Sequence, residues 1–313
     1  MSGTVFVFAP DPLLTVTVEA GPGGDEIHLH PGGQGFWAAR MAHALGAVVT
    51  LGGPFGGESG AVVRALMADT GLQVAAVSVG ATNGAYVHDR RDGERRQVAA
   101  MRPETLTRHD IDDFYTTALT GALEADVTIL AGPGAWDPPL LPSEIYRRLA
   151  GDLRSMGRTV VADLSGDVLA EALAGGLSLV KVSHEELERD GLATPGDTAS
   201  LLSAMTELTK TGADNVVVSR AGDPAFALID GRLVSVTGPS LDVVDHRGAG
   251  DSMTAGLAVG IAAGLDLAEA LRLGAAAGAL NVTRHGLASG ERSAIQRLAE
   301  QFELHDLNPE AAT

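Results

Sequence analysis

The sequence predicts an α/β fold in which a mainly parallel sheet is covered by helices on both faces. Two observations carry this. Short β-like runs alternate with helical patterns from residue 4 to residue 219, the arrangement of strand–helix–strand units. Four further runs, at 13–19, 26–30, 84–89 and 95–100, alternate polar and apolar residues with no helix between partners. They predict a small antiparallel sheet inserted into the larger domain.

Residues 4–9 read as the first strand, and Gly21-Pro22-Gly23-Gly24 and Asp92-Gly93 are turn signals within the inserted sheet. Helical periodicity covers 33–45, 58–69, 108–121, 141–155, 166–174, 184–190 and 197–210. Strands are expected between these helices at 47–51, 73–78, 126–131, 158–163, 177–181 and 214–219. Two short strands follow residue 222, then helices at 249–263 and 267–283, and residues 304–313 read as a polar tail. With no repeat and no long linker, the expectation is one domain over 1–313, with lid strands inserted at 13–30 and 84–100.

Of the 313 residues, 45% are apolar, enough for a sizeable core. The net charge of −18 opposes binding to nucleic acid or to an anionic membrane surface, but not to a small anion held by local amides. The absence of cysteine excludes disulfides and thiolate chemistry. Residues 1–8 read as the approach to a strand, not as a signal peptide, and the apolar run 253–264 is too short to span a bilayer. A cytoplasmic protein is expected. There are only two lysines, Lys181 and Lys210, against twenty arginines, so Lys181 stands out.

The most informative segment is 245–255, Asp-His-Arg-Gly-Ala-Gly-Asp-Ser-Met-Thr-Ala. Gly248 and Gly250 let the backbone turn tightly and bring bare amides to a ligand. A helix starting there adds its unpaired N–H groups and the positive end of its dipole, which suits a phosphate. Asp251, beside that anion, fits a base that takes a proton from an attacking hydroxyl. The competing reading is an acidic residue favoured at any helix start.

Other segments carry weaker signals. Gly32, Gly33 and Gly35 permit close backbone approach before the 33–45 helix, or serve a tight connection. Gly52 to Gly60 reads as a turn between strand and helix. Lys181 ends a strand, and Ser183 with Glu186 forms either a capping box or a carboxylate that orders water around Mg²⁺. Ser219 to Gly222 is a strand end of the kind that borders ligand crevices. The nine histidines, His28 and His30 included, lack metal-ligand spacing, and the few aromatic residues read as core or pocket lining.

Together these segments resemble the PfkB (ribokinase-like) family of carbohydrate kinases, on the branch of 1-phosphofructokinase and tagatose-6-phosphate kinase. The resemblance rests on Gly32-Gly33-x-Gly35, Asp163-Leu164-Ser165-Gly166, Lys181 with Glu185-Glu186-Leu187, and Asp245-x-x-Gly-Ala-Gly-Asp251, in consistent order over nearly the whole chain. It implies a three-layer α/β/α sandwich with a β-sheet lid, and ATP-dependent phosphorylation of a sugar-type hydroxyl. It implies Asp251 as catalytic base, Gly248, Ala249 and Gly250 as anion hole, and Arg247 as added positive charge. Lys181, Ser219, Gly222 and Asn281 would lie along the nucleotide, and Glu186 would support Mg²⁺ through water. A homodimer through the lid is implied, while a monovalent-cation requirement stays open.

The departures fall at the acceptor end. Leu13 stands where the branch has the aspartate that grips substrate hydroxyls, and Asp11 is the nearest replacement. Phe36-Trp37, Asn83 and Pro133 also stand at usual substrate positions. Candidate acceptor contacts are therefore Asp11, Gly32, Gly33, Trp37 and the lid arginines Arg90 and Arg96, with Tyr86, His88 and Arg95 nearby. Two other readings remain open here: a catalytically weakened nucleotide- or metabolite-binding regulator, and a nucleoside kinase that stacks its acceptor on Trp37.

Overall fold

The structure, a computed structural model, describes residues 3–284 and 286–307. A ten-stranded sheet and a four-stranded sheet are connected by ten helices among these residues. The large sheet begins with β1 (Thr4–Phe8), an interior strand third from one edge. On one side lie β4 (Val48–Phe55) and β5 (Gln73–Ser78). On the other lie β8 (Val127–Ala131), β9 (Thr159–Asp163), β10 (Leu179–Ser183) and β11 (Val216–Arg220), all parallel to β1. An antiparallel extension of β12 (Asp223–Ile229), β13 (Arg232–Thr237) and β14 (Glu303–Asp306) completes it.

The strand side chains alternate between two cores, as the two-residue strand period requires. Val5, Val7, Val127, Ile129, Val161 and Val217 face a core shared with α1 (Gln34–Ala44), α2 (Gly57–Ala68), α8 (Ala249–Ala262), α9 (Leu267–Val282) and α10 (Arg292–Ala299). Phe6, Phe8, Leu130, Val160, Ala162, Val180 and Val218 face α3 (Arg108–Glu124), α4 (Glu144–Ser155), α5 (Gly166–Gly175), α6 (His184–Arg189) and α7 (Thr198–Thr211). Phe8 stacks on Phe114 at 4.7 Å and meets the edge of Tyr146 at 5.4 Å. The three-layer sandwich expected from the sequence is therefore present.

The small sheet has the order β3-β2-β6-β7, from β2 (Leu13–Gly21), β3 (Gly24–Gly32), β6 (Ala85–Asp89) and β7 (Arg96–Met101). It is mixed, not antiparallel throughout, because β2 and β6 pair in parallel. The reason is topological: β2 continues from the end of β1 and β6 from the end of β5, so both leave the same edge of the large sheet. The hairpin partners β3 and β7 return antiparallel. One lid face carries Thr15, Thr17, Glu19, Tyr86, His88 and Arg90. The other presents Ile27, Leu29, Val98 and Met101 to solvent, Ile27 at 65% exposure.

Four further expectations change. The segment 52–55, read as turn, continues β4, because β5 supplies hydrogen-bond partners as far as Phe55. Pro54 is tolerated there since pairing with β1 ends at Gly52, so no ladder donor is missed. The strand placed at 177–181 lies at 179–183. In the polar tail, Glu303–Asp306 pair with β13 as a short charged edge strand, while 308–313 lie outside the described residues. The helix α10, which buries Ile295, stands outside the expected elements. Among the described residues no helix is long and apolar enough to cross a membrane.

Candidate active site

The turn 245–251 lies at the N-terminus of α8. Gly248 has φ 71°, a left-handed conformation that glycine adopts without strain, and no side chain caps the helix. The amides of the first turn therefore point outward without intrahelical acceptors. Arg247 is fixed by Asp245, with Nε donating to Oδ1 at 2.9 Å and Nη2 to Oδ2. Asn281 on α9 is 1% exposed and fully engaged: Nδ2 donates to the Arg247 carbonyl at 2.7 Å, and Oδ1 accepts from Ala288 N at 2.8 Å. It braces the turn from behind.

Beneath the turn lies a buried charge cluster. Lys181 Nζ, from the middle of β10, is 3.2 Å from both carboxylate oxygens of Asp163 at the end of β9. Thr254 Oγ1 also donates to Asp163, at 2.7 Å. A side chain at Gly250 would collide with Lys181 Nζ, so this glycine is needed for the lysine to sit under the helix start. Burial acts to depress the Lys181 ammonium, but Asp163, Glu186 and Asp251 together raise its pKa above the ordinary value. Burial pushes the Asp251 carboxyl up to about 7; Asp163 and Glu186 reinforce that shift and Lys181 opposes it.

Glu186 completes a capping box. Its Oε2 accepts from Ser183 N at 2.8 Å and Ser183 Oγ at 2.9 Å, while Ser183 Oγ accepts from Glu186 N. No protein hydrogen bond reaches Oε1 among the described residues, so one oxygen is left for other work. The capping-box and ion-supporting readings of Glu186 are thus compatible. Ser219 lies beside Ser183 in the register of β10 and β11, at the C-terminal ends of both strands. Gly222, in the exposed turn after β11, has open space around it. Glu186 and Ser219 thus gather around Ser183 at the C-terminal ends of β10 and β11, and the 247–251 turn packs over the buried Lys181 through Gly250. Open α/β sheets bind ligands in that position.

The acceptor-side candidates divide into two groups. Asp11 is 6% exposed and accepts at Oδ2 from Gly134 N at 3.0 Å and Trp136 Nε1 at 2.6 Å. Burial raises its pKa, with these two hydrogen bonds opposing. Gly33, at φ 97°, packs where any side chain would collide with the Asp11 carbonyl. Gly32 likewise leaves no room for a side chain beside Thr15. Tyr86 stacks on Trp136 at 5.9 Å and is tilted against His88 at 5.8 Å. Arg95 Nη2 reaches His88 Nδ1 at 3.3 Å. Burial and the charges of Arg95, Arg247 and Arg90 push His88 down to about 4, so it is neutral at pH 7. The stack of Tyr86 on Trp136 links the lid to the loop after β8, and the Arg247 charge acts on His88 through space.

The second group lies elsewhere. Arg96 bonds Asp89 on the other lid face, together with Arg91. The Trp37 ring meets Phe36 edge-on at 4.9 Å and lies under the Arg40 guanidinium at 5.7 Å. Leu13 is buried near Gly84. Asn83 is a lid-root clamp: Oδ1 accepts from Gly56 N, and Nδ2 donates to the carbonyls of Pro12 and Pro54.

Four residues gain importance from the structure. Asp163 carried a signal as the acidic end of a β-run, and Trp136 as one of two tryptophans, following Gly-Pro-Gly after a strand. Gln34, which bridges Gly132 N and the Asp163 carbonyl, carried none. Arg95 differs from its neighbours Arg90 and Arg96, which pair with Glu19 and Asp89. Among the described residues no carboxylate forms a salt bridge with Arg95.

Comparison with known proteins gives the family and the fold. The family described as pfkB family carbohydrate kinase matches residues 13–294. The ATP-dependent 6-phosphofructokinase isozyme 2 of Mycobacterium tuberculosis is 28% identical, covering 90% of this chain and 86% of its own. The 1-phosphofructokinase of Vibrio cholerae is 29% identical, covering 90% and 88%. Phosphofructokinase-2 from Escherichia coli, solved in complex with potassium, superposes with a TM-score of 0.82 at 25% identity, covering 95% of this chain and 98% of its own.

Proposed function

Because this chain belongs to the pfkB family of carbohydrate kinases, a phosphotransferase class that acts on a sugar hydroxyl with ATP as donor, we propose that its acceptor is a sugar phosphate and Asp251 its catalytic base. One observation carries the assignment: a buried carboxylate with its pKa pushed to about 7 stands in a helix first turn whose amides are free for a phosphoryl group.

The chain's own groups divide the work. Residues at the ends of β10 and β11 would hold ATP, and the 248–250 amides would bind its phosphates. Those amides and the Arg247 guanidinium stabilise the charge of the transferring phosphoryl. Asp251 takes the proton of the attacking hydroxyl, and Lys181 with Asp163 holds the floor beneath it. The carboxylates fit Mg²⁺, which retains several waters and uses few protein ligands. Glu186 Oε1 would hold it through water, and the ion supplies positive charge to the ATP phosphates. Arg95, whose guanidinium reaches His88 and forms no salt bridge with a carboxylate among the described residues, would pair with the acceptor's own anionic group.

The apolar outer lid face supports a homodimer in which two lids cover each other. The nucleoside reading loses its platform, since Arg40 already lies over the Trp37 ring. The altered acceptor positions motivate the reading as a non-catalytic regulator, and the presence of Asp251 with the buried Asp163, Lys181 and Thr254 argues against it.

An ATP-consumption screen against sugars, sugar phosphates, polyols and nucleosides tests the proposal, with Asp251→Asn as the control. Turnover should appear with sugar phosphates and fall by roughly 10²–10⁴-fold in Asp251→Asn, with an unchanged circular dichroism spectrum. Undiminished turnover in that variant would overturn the role of Asp251.

A further inference from the structure

Asp11 and Trp136 meet where the chain changes direction across the sheet. From β1 it proceeds through β4 and β5 on one side, then returns to build β8 on the other. Asp11 lies in the loop after β1 and Trp136 in the loop after β8, so their hydrogen bond spans the switch point. Crevices at such points, outside the strand C-termini, take ligands in open α/β sheets.

The Asp11 carboxylate is lopsided. Oδ2 accepts both protein hydrogen bonds, from the Trp136 indole and the Gly134 amide, while Oδ1 is buried with no partner. A buried carboxylate oxygen without a donor is costly, so a donor brought by a ligand would meet an unsatisfied acceptor there. Two hydrogen bonds on Oδ2 set the plane of the carboxylate and hence the direction in which Oδ1 points. The Trp136 ring is itself held at 5.9 Å by Tyr86, a lid residue, with the two planes 19° apart. The lid therefore rests on the group that orients Asp11.

We infer that Trp136 is the positioning residue of the acceptor subsite. Its indole N–H aims Asp11 so that Oδ1 accepts a hydrogen bond from an acceptor hydroxyl other than the one phosphorylated. Trp136 and Tyr86 wall the subsite with aromatic surface suited to the C–H face of a sugar. This replaces the grip lost at Leu13, and it rests on the kinase reading above.

Trp136→Phe keeps a ring against Tyr86 and removes only the N–H donor; Asp11→Asn keeps the shape and removes the carboxylate. With fructose 6-phosphate, fructose 1-phosphate and ribose as probes, acceptor KM should rise roughly 10-fold in Trp136→Phe and up to about 100-fold in Asp11→Asn. The KM for ATP should stay within about twofold, and the double variant should be less impaired than the product of the singles. Binding is read separately by fluorescence in Trp37→Phe, where Trp136 is the only tryptophan. Its emission should change saturably with a sugar probe. Turnover with unaltered acceptor KM in both variants, or emission that no probe moves, overturns the subsite. A protein that transfers no phosphoryl group, yet whose Trp136 emission saturates, overturns the kinase reading and retains the subsite.

Discussion

Lys181 Nζ lies 3.2 Å from both carboxylate oxygens of Asp163, and the two are buried together beneath the first turn of α8. Neither charge has a solvent-exposed alternative, so each depends on the other. Lys181→Met removes the cation and leaves Asp163 uncompensated beside Asp251. The protein should lose about 3–5 kcal/mol in denaturant titration, as expected when one member of a buried pair is deleted. Turnover should fall as well, because the Asp251 carboxyl loses its only opposing cation and is pushed higher.

The pKa of Asp251 has opposite consequences for activity and stability. In the proposed role the ionised carboxylate acts as the base, so the acceptor phosphorylation rate should rise with pH through about 7. For stability, the nucleotide-free folded protein retains a proton that the unfolded chain releases near the ordinary value of 3.8. This contribution is complete below about pH 4 and is lost as the pH rises through about 7. Asp251→Asn cannot ionise, so its melting temperature should gain on that of the parent as the pH is raised across this window.

Arg95 tests the acceptor's charge. Arg90 and Arg247 have carboxylate partners in Glu19 and Asp245, whereas Arg95 reaches the ring of the neutral His88 and forms no salt bridge among the described residues. Arg95→Gln should raise the KM for fructose 6-phosphate roughly 10- to 100-fold and leave that for unphosphorylated ribose unchanged. An equal loss on both would place Arg95 at the transferred phosphoryl instead.

The outer lid face supplies the oligomerisation test. Ile27 is 65% exposed and shares that face with Leu29 and Val98. Ile27→Glu should convert a dimer to a monomer in analytical ultracentrifugation, since an unpaired charge would be buried in the interface. A parent protein that sediments as a monomer would remove the lid as a dimer surface.

Much of the site was legible because local rules govern it. A glycine turn before an apolar helix can be read directly, and Ser183 with Glu186 spells a capping box at adjacent positions. Other motifs were legible in kind but not in use. Asn281 was expected along the nucleotide, yet both ends of its amide hold the turn and the following loop. Asn83 marked a departure from the sugar-phosphate pattern, and it proves to tie Gly56, Pro12 and Pro54 together. Asx side chains bond whatever backbone lies near, and that backbone comes from distant segments.

By itself, the sequence determined the alternation of strands and helices, the lid insertion, and Asp251 in a glycine turn at a helix start. Periodicity, turn chemistry and helix-start rules act over a few residues and leave their mark in the chain. Only the tertiary structure decided that Asp11 faces Trp136, that Lys181 lies under Gly250, and that Arg95 and Arg96 lie on opposite lid faces. The Asp11–Trp136 pair is separated by 125 residues and is joined by the parallel pairing of β1 with β8. The lid arginines are sorted by a one-residue step in a strand, and the bulge between Val87 and His88 shifts that register locally.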